Sequence, residues 1–325
     1  MLGVLEAGLY PGMVFYLTLW MPARDRVWMM SLFTMSIPLT GMLGAPVSTW
    51  VMQHVSVFGV TGWRAMLLLE GLPAVVLGVL TWFCLPDGPH AWRGLSDADH
   101  QAIRTVLAEE QQSTPGAVQP HTVRDTLTNA KVWGLGFVYF GINAGIIGLL
   151  YFLPQVVKTF KGSSHYSLTQ IGLITSVPFA FAVVSVIVWG KLVSRTRVHA
   201  LHVAGPMIVS AAALASALYL GSPLATVAVL AVGTSACFCS ISTFWQMPSR
   251  ILTDRAAAAG IALITSIGVS SGFFMPYFIG WVRDTTGTFQ LAFIGIAVAM
   301  VAGAVLALVL DPARRRAPVA GMALK

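Results

Sequence analysis

The sequence predicts an all-α polytopic membrane protein with about nine transmembrane helices. Of its 325 residues, 56% are hydrophobic and only 10% are charged, and the mean hydropathy is +0.78. A soluble domain carries about 25% charged residues, so this chain has too few charges to cover a water-facing surface. Apolar stretches of about 20 residues, long enough to cross a bilayer, recur along the chain, and basic residues collect in alternate loops between them.

The apolar segments lie on either side of one long polar stretch. We place them at 1–22, 28–52, 63–85, 132–156, 168–190, 200–220, 223–246, 257–281 and 289–310. Within the polar stretch, Ser96 is a suitable N-cap for a short helix outside the bilayer. The predicted domains are the remaining part of an N-terminal helical bundle at 1–85, a cytoplasmic central loop at 86–131, a C-terminal six-helix bundle at 132–312 and a cytoplasmic tail at 313–325.

The positions of the basic residues predict the topology. Of the 19 Lys and Arg residues, the alternate set of loops that includes Arg64 and Arg283 holds only four. The positive-inside rule therefore places the other loops in the cytoplasm, with Met1 outside and the C-terminus inside. The net charge of +7 then follows from topology, and no nucleic-acid partner is expected. We expect a multi-pass protein of a bacterial inner membrane.

The sequence offers little for covalent or metal chemistry. Cys237 and Cys239 are two residues apart in a predicted helix, so they do not share a face, and no zinc or redox spacing is present. His199 and His202 have a spacing that could bind a metal, but no third ligand is nearby. Neither a Walker loop, a dinucleotide fingerprint nor a Gly-x-Ser-x-Gly elbow is found. We therefore expect no enzyme activity, no cofactor and no metal site.

Two parts of the chain repeat a local pattern. The first segment ends "LWMPARDR" and the seventh ends "FWQMPSRILTDR". Each is followed by a helix with Gly and Pro, "GMLGAP" in one case and "GVSSGFFMP" in the other. Six helices separate the two copies, and parallel repeats of six helices are typical of one large transporter architecture.

Longer stretches resemble a known family. "LGVLEAGLYPGMVFYLTLWMPARDR", "GWRAMLLLEGLPAVVLGV", "YFLPQVVK" and "FWQMPSRILTDRAAAAGIALITSIGVSSGFFMPYFIGWVRDTTGTF" resemble the major facilitator superfamily, and within it the anion:cation symporter family. The resemblance implies a monomeric carrier that imports a small organic anion (a sugar acid, dicarboxylate or aromatic carboxylate) with protons by alternating access. It also implies that the nine helices correspond to helices four to twelve of the family, with three absent. The alternative is a truncated, non-transporting fragment of such a carrier.

Glu6 is the clearest candidate for chemistry. A charged side chain at the bilayer centre costs about 2.5–3.5 kcal/mol on insertion scales, unless it faces a cavity, pairs with a cation or is protonated. Glu6 lies about 24 Å from the cytoplasmic end of its segment at 1.5 Å per residue, in the outer half of the membrane. The resemblance assigns proton coupling to this position. The alternative is a structural glutamate near the outer interface.

Asn143 is a further candidate because it lies deep enough in its apolar segment to line a cavity. The other candidates lie on helices that resemble cavity-lining helices of the family. The predicted substrate-binding residues are Asn143, Ser242, Trp245, Thr265 and Ser266. Trp245 could equally be an anchor at the membrane interface, where aromatic residues collect. Glu70 is the other acid well within an apolar segment, and a structural role, with a possible ion pair to Arg64, is favoured for it. A carboxylate substrate also needs a cationic group, and no Lys or Arg lies deep in any predicted helix.

Overall fold

The fold is helical, with one short hairpin, throughout the described part of the chain. The computed structural model describes residues 9–92, 94–113, 127–158, 160, 166–196, 200–248, 252 and 255–311. The hairpin pairs β1 (Ser56–Val57) with β2 (Val60–Thr61). The principal helices are α1 (Leu9–Trp20), α2 (Ala23–His54), α3 (Trp63–Cys84), α4 (Asp97–Ser113), α5 (Ala130–Lys158), α6 (Leu168–Ser194), α7 (Leu201–Ala217), α8 (Pro223–Phe244), α9 (Arg255–Val269), α10 (Ser271–Thr286) and α11 (Gln290–Val309).

Each of the nine predicted segments contains a helix in the described residues. Seven spans are long and apolar enough to cross a bilayer, and α9 with α10 counts as one of them. The other two segments hold α1, described from Leu9 onward, and α7, which has 17 residues. The prediction of an all-α polytopic membrane protein is confirmed. The polar helix α4 begins after Ser96 as predicted, because the Ser96 hydroxyl accepts the Asp99 N–H at 3.2 Å.

Small residues bring the helices of the second half of the chain close together. A Cβ atom on Gly141 of α5 would lie 2.8 Å from the carbonyl oxygen of Ala299 on α11, and 3.5 Å from the Cα of Gly303. A Cβ atom on Gly145, one turn later, would lie 2.8 Å from the sulfur of Met300. In a bilayer, where helices gain no hydrophobic drive toward one another, such close packing supplies much of the association energy. The Gly141-xxx-Gly145 spacing thus serves helix packing.

The most extensive helix pair in the described residues is α2 with α6. Glycines on both helices allow the approach, since a Cβ atom on any of them would overlap or crowd the partner. The pairs of glycine and partner are Gly190 with Ser31, Gly41 with Phe179, and Gly172 with Ala45. As the residue number rises along α2 it falls along α6, so the two helices run antiparallel in contact over most of their length. We call this contact the α2–α6 seam.

Each end of the α2–α6 seam carries one further contact. At the predicted outer end, the Thr169 hydroxyl donates to Oε1 of Gln53 at 2.7 Å. At the predicted inner end, the Lys191 ammonium lies 5.4 Å from the ring centroid of Trp28. The seam therefore joins a helix of the predicted N-terminal bundle to one of the predicted C-terminal bundle at both membrane faces.

Helix α3 is covered much less than the others. Of its 22 residues only Ala65 is buried, and its helix neighbour in the described residues is α2. Glu70 accepts a hydrogen bond from the Ser48 hydroxyl of α2. The guanidinium of Arg64 lies 5.3 Å from the ring centroid of Trp63. The structure thus gives Glu70 a hydroxyl partner on the neighbouring helix, and Arg64 an aromatic one.

Candidate functional site

Glu6 lies outside the described residues, so its role stays a prediction. The helix after it, α1, packs against both α2 and α9 in the described part of the chain. Val14 of α1 is buried. The segment that follows Glu6 is therefore next to the helix that carries Thr265 and Ser266.

Three aromatic rings pack together where α5 meets the end of α8. The Tyr139 ring stacks on Phe244, with centroids 5.2 Å apart, and meets the Trp245 ring edge-on at 5.0 Å. All three side chains are buried. Helix α9 reaches the same rings at Gly268, where a Cβ atom would overlap Tyr139. Sequence analysis missed Tyr139, although α5, α8 and α9 converge on it.

Two other predicted site residues lie within a turn of this cluster. Asn143 is half-buried, and its Nδ2 donates to the Tyr139 carbonyl at 3.2 Å. Thr265 is buried, and its hydroxyl donates to the carbonyl four residues earlier at 2.7 Å. Because Thr265 precedes Gly268 by three residues, both occupy one face of α9. The structure thus places Trp245, Asn143 and Thr265 around Tyr139.

Ser242 and Ser266 do not join this group. Ser242 is buried and donates to the Cys239 carbonyl at 2.9 Å. It follows Cys237, whose thiol contacts α5, by five residues, which turns its side chain about 140° away from α5 at 3.6 residues per turn. Ser266 is exposed and is rotated about 100° from its neighbour Thr265. Ligand contact by Ser242 and Ser266 stays a prediction, and the structure does not group these two serines with the residues around Tyr139.

The predicted eighth transmembrane segment is broken near its middle. The break falls at Ser270, between α9 and α10, inside the candidate span Ala259–Thr286. Ser270 is 11 residues, about 17 Å, into that span, and a hydrocarbon core is about 30 Å thick. In the described residues, no backbone hydrogen bond joins the N–H of Ser271 or Gly272 to α9.

Two serine hydroxyls stabilise the break. The Ser270 hydroxyl donates to the carbonyl of Ile267 at 2.6 Å, and the Ser271 hydroxyl donates to that of Gly268 at 2.7 Å. In an unbroken helix these carbonyls would accept the N–H groups of Ser271 and Gly272. The hydroxyls replace those donors, as serine side chains in helices can. The carbonyls are therefore satisfied by side-chain donors at the break, where Ser270 keeps helical backbone angles (φ −57°, ψ −22°).

Asn143 lies level with the break. Along α5, Tyr139 meets Gly268, and Ile147, two turns later, is 3.6 Å from the position of a Cβ atom on Gly272. Asn143 falls midway between Tyr139 and Ile147. The half-buried amide of Asn143 thus lies beside the start of α10, where the missing side chain of Gly272 leaves the backbone open to close approach.

Basic side chains in the described spans lie near helix ends. They occupy the first or last turn at Arg26, Arg64, Lys131, Lys158, Lys191 and Arg283. No basic side chain in the described spans therefore lies level with Asn143. The break level with Asn143 is the start of α10, and a helix N-terminus carries a partial positive charge that suits an anion.

Comparison with known proteins identifies the family to which this chain belongs. The sequence pattern of the Major Facilitator Superfamily matches residues 1–276 of the chain. The chain belongs to the Major Facilitator Superfamily. The resemblance inferred from the sequence is confirmed, and this superfamily member is a membrane transporter and not an enzyme.

The relatives of this chain are named for different transport activities. A protein of Agrobacterium vitis, named "Putative tartrate transporter", is 37% identical over 310 residues, covering 95% of this chain and 68% of the relative. A protein of Acinetobacter baumannii, named "Quinolone resistance transporter", is 31% identical over 309 residues, covering 94% of this chain and 70% of the relative. This superfamily member thus spans roughly two thirds of the length of its relatives.

A solved structure supports the fold. The proton:xylose symporter XylE aligns with a TM-score of 0.66 over 93% of this chain and 66% of that one, at 16% sequence identity. At this identity the likeness shows the shared transporter fold. It does not show a shared substrate.

Proposed function

We propose that this chain belongs to a carrier of a bacterial inner membrane that imports a small organic anion with protons. The observation that carries the proposal is the break at Ser270, where α10 begins level with Asn143 near the middle of the span. Half-helix N-termini of this kind bind anionic substrate groups in secondary transporters. The tartrate name of the A. vitis relative supports the same class of substrate.

Proton coupling rests on Glu6 in this proposal. Burial in a low-dielectric site favours the neutral carboxyl, and water or a nearby cation favours the carboxylate. A single carboxyl that meets both environments during the transport cycle can carry one proton per turnover. Rocking of the two predicted bundles against each other would give the site alternating access to the two sides of the membrane. The carrier would act as a monomer, with its C-terminus in the cytoplasm.

Transport by the protein in reconstituted vesicles tests this proposal. Vesicles containing it are given a panel of labelled organic acids, first in counterflow and then under an inward proton gradient. We expect Glu6→Gln to keep counterflow and to lose gradient-driven accumulation, because the amide keeps the shape but cannot carry a proton. If Glu6→Gln still accumulates substrate, then Glu6 is structural.

A second pair of variants tests the site. Asn143→Ala removes the amide beside the start of α10, and we expect at least a tenfold rise in the concentration that gives half-maximal counterflow. Ser266→Ala is the control, because Ser266 is exposed and turned away from Tyr139. An equal effect of the two substitutions would show that the substrate binds elsewhere.

A further inference from the structure

A ring contact marks the middle of the α2–α6 seam. The Phe179 ring of α6 lies against Gly41 of α2, where a Cβ atom would be 2.7 Å from the ring. Each helix carries a proline within one turn of this contact, Pro38 in α2 and Pro178 in α6. A proline inside a helix removes a backbone hydrogen bond and permits a bend. Both helices of the seam can therefore bend at the same level.

The two ends of the seam lie at similar distances from this contact. Along α2, Ser31 is ten residues, about 15 Å, from Gly41, and Gln53 is twelve residues, about 18 Å, from it. Gly190 lies against Ser31 at the predicted inner end. At the predicted outer end, Thr169 is hydrogen-bonded to Gln53. Because alternating access opens one side of a carrier at a time, the seam has to part at one end while the other end stays closed.

Trp28 is held at the predicted inner end by two adjacent residues of α6. A Cβ atom on Gly190 would overlap Ser31 and would lie 3.4 Å from Cε3 of Trp28, so the two helices approach closely here. The Lys191 ammonium lies over the Trp28 ring, 5.4 Å from its centroid. An ammonium group within about 6 Å of an indole centroid is attracted by the negative face of the ring. Lys191 is exposed and Trp28 is half-buried, so this contact can break and re-form in each cycle.

We propose that Lys191 and Trp28 form a latch that holds the cytoplasmic end of the seam closed. That end opens about the contact of Phe179 with Gly41, while the outer end stays closed. The latch biases the carrier and does not lock it, because an exposed cation–π contact shifts an equilibrium by only about two- to fivefold. The latch rests on the alternating access of the proposed function, but the distances that test it are measured without a substrate. A missing latch and a missing transport activity are therefore separate results.

Distances between spin labels across the seam test the latch in the protein reconstituted in vesicles. The inner pair of labels is attached at Asp25→Cys and Arg195→Cys, because Asp25 precedes Ser31 by as much as Arg195 follows Gly190, to within one residue. The outer pair, in a second sample, is attached at His54→Cys and Tyr166→Cys, beside the contact of Gln53 with Thr169. All four positions are exposed. The exposed Cys84 is replaced by Ser in every sample.

Removal of the ammonium group should open the inner end alone. Lys191→Gln should raise the ratio of long to short inner distances about two- to fivefold, and the outer distances should stay short. Lys191→Arg keeps a cation and should keep the ratio of the parent protein. Lys131→Gln is the matched control, because Lys131 is also an exposed lysine at a predicted cytoplasmic helix end but lies on α5. A ratio in Lys191→Gln no higher than in Lys131→Gln would overturn the latch.

Two further variants test the partner and the pivot. In a Trp28→Leu background, Lys191→Gln should change the ratio no further, and an equal effect in both backgrounds would refute Trp28 as the partner. Gly190→Ala places a methyl group against Ser31, and should lengthen the inner distances while the outer ones stay short. Equal lengthening of both pairs would show that α2 and α6 separate as rigid rods, and would refute the pivot at Gly41.

Discussion

Gly172 offers a direct test of the packing in the α2–α6 seam. A Cβ atom there would lie 2.6 Å from the Thr49 hydroxyl oxygen and 2.8 Å from the Ala45 carbonyl oxygen. The hydroxyl can rotate away, but the carbonyl is backbone and cannot yield unless α2 moves. We expect Gly172→Leu to push α2 and α6 apart near their predicted outer ends.

The size of the effect follows from two opposing contributions. Overpacking a close contact costs about 1–3 kcal/mol. Replacing glycine by leucine within a helix gains about 0.5–1 kcal/mol of helix propensity. Gly280→Leu on α10 has the same propensity gain, and a Cβ atom on Gly280 would meet nothing within 4 Å. The difference between the two variants therefore isolates the clash, and Gly172→Leu should be less stable than Gly280→Leu by about 1–3 kcal/mol.

Unfolding in mixed micelles measures that difference. The purified variants are titrated with a denaturing detergent, and helix loss is followed by circular dichroism. Gly280→Leu should unfold at a slightly higher detergent fraction than the parent protein, because it gains helix propensity without a clash, and Gly172→Leu at a clearly lower fraction than Gly280→Leu. If the two leucine variants have equal stability, α2 and α6 are not in contact at Gly172, and the seam is misplaced.

Three further predictions concern the membrane faces. Asp311→Ala removes the acceptor at the start of α7, and should lower the unfolding free energy by about 0.5–2 kcal/mol in the same titration. Ser96→Ala removes the hydroxyl that chiefly lowers the pKa of Asp99, so a carbon-13 NMR titration should show that pKa rising toward 3.8. Because the pKa of Asp99 is lower in the folded protein than in the unfolded chain, its contribution to the start of α4 is present at neutral pH and is lost in acid. Compartment-specific reporters fused at residue 110 and at the C-terminus should both report cytoplasm, and a periplasmic signal at either site would refute the topology.

Hydropathy was sufficient to predict the nine segments, because bilayer thickness fixes both their length and their apolar character. The break at Ser270 was not predicted, since a broken span is as apolar as a continuous one. Its signal was present as the pair Ser270-Ser271 followed by Gly272, a combination found at helix kinks. Paired serines also occur in intact helices, so the sequence alone could not distinguish a broken span from a continuous one.

The site was predicted in part. Asn143 drew notice as a polar residue deep in an apolar helix, and the structure places it beside the break. Tyr139 did not draw notice, because an aromatic residue in an apolar helix is usually an ordinary core residue. Its role depends on the rings that α8 contributes. The α2–α6 seam was missed for a similar reason. Gly172 and Gly190 have no short-range spacing to mark them, and Gly41 was noted only as part of a repeated pattern. The importance of all three depends on which helix lies opposite.

The central claim is that an organic anion enters together with a proton, and proton entry can be measured directly. The protein is placed in vesicles that contain a pH-sensitive dye, with no initial gradient, and a labelled organic acid that the counterflow panel has identified as a substrate is added outside. The account predicts that the vesicle interior acidifies as the labelled acid enters, and that Glu6→Gln abolishes the acidification. Entry of the labelled acid without any change in internal pH would contradict proton-coupled import.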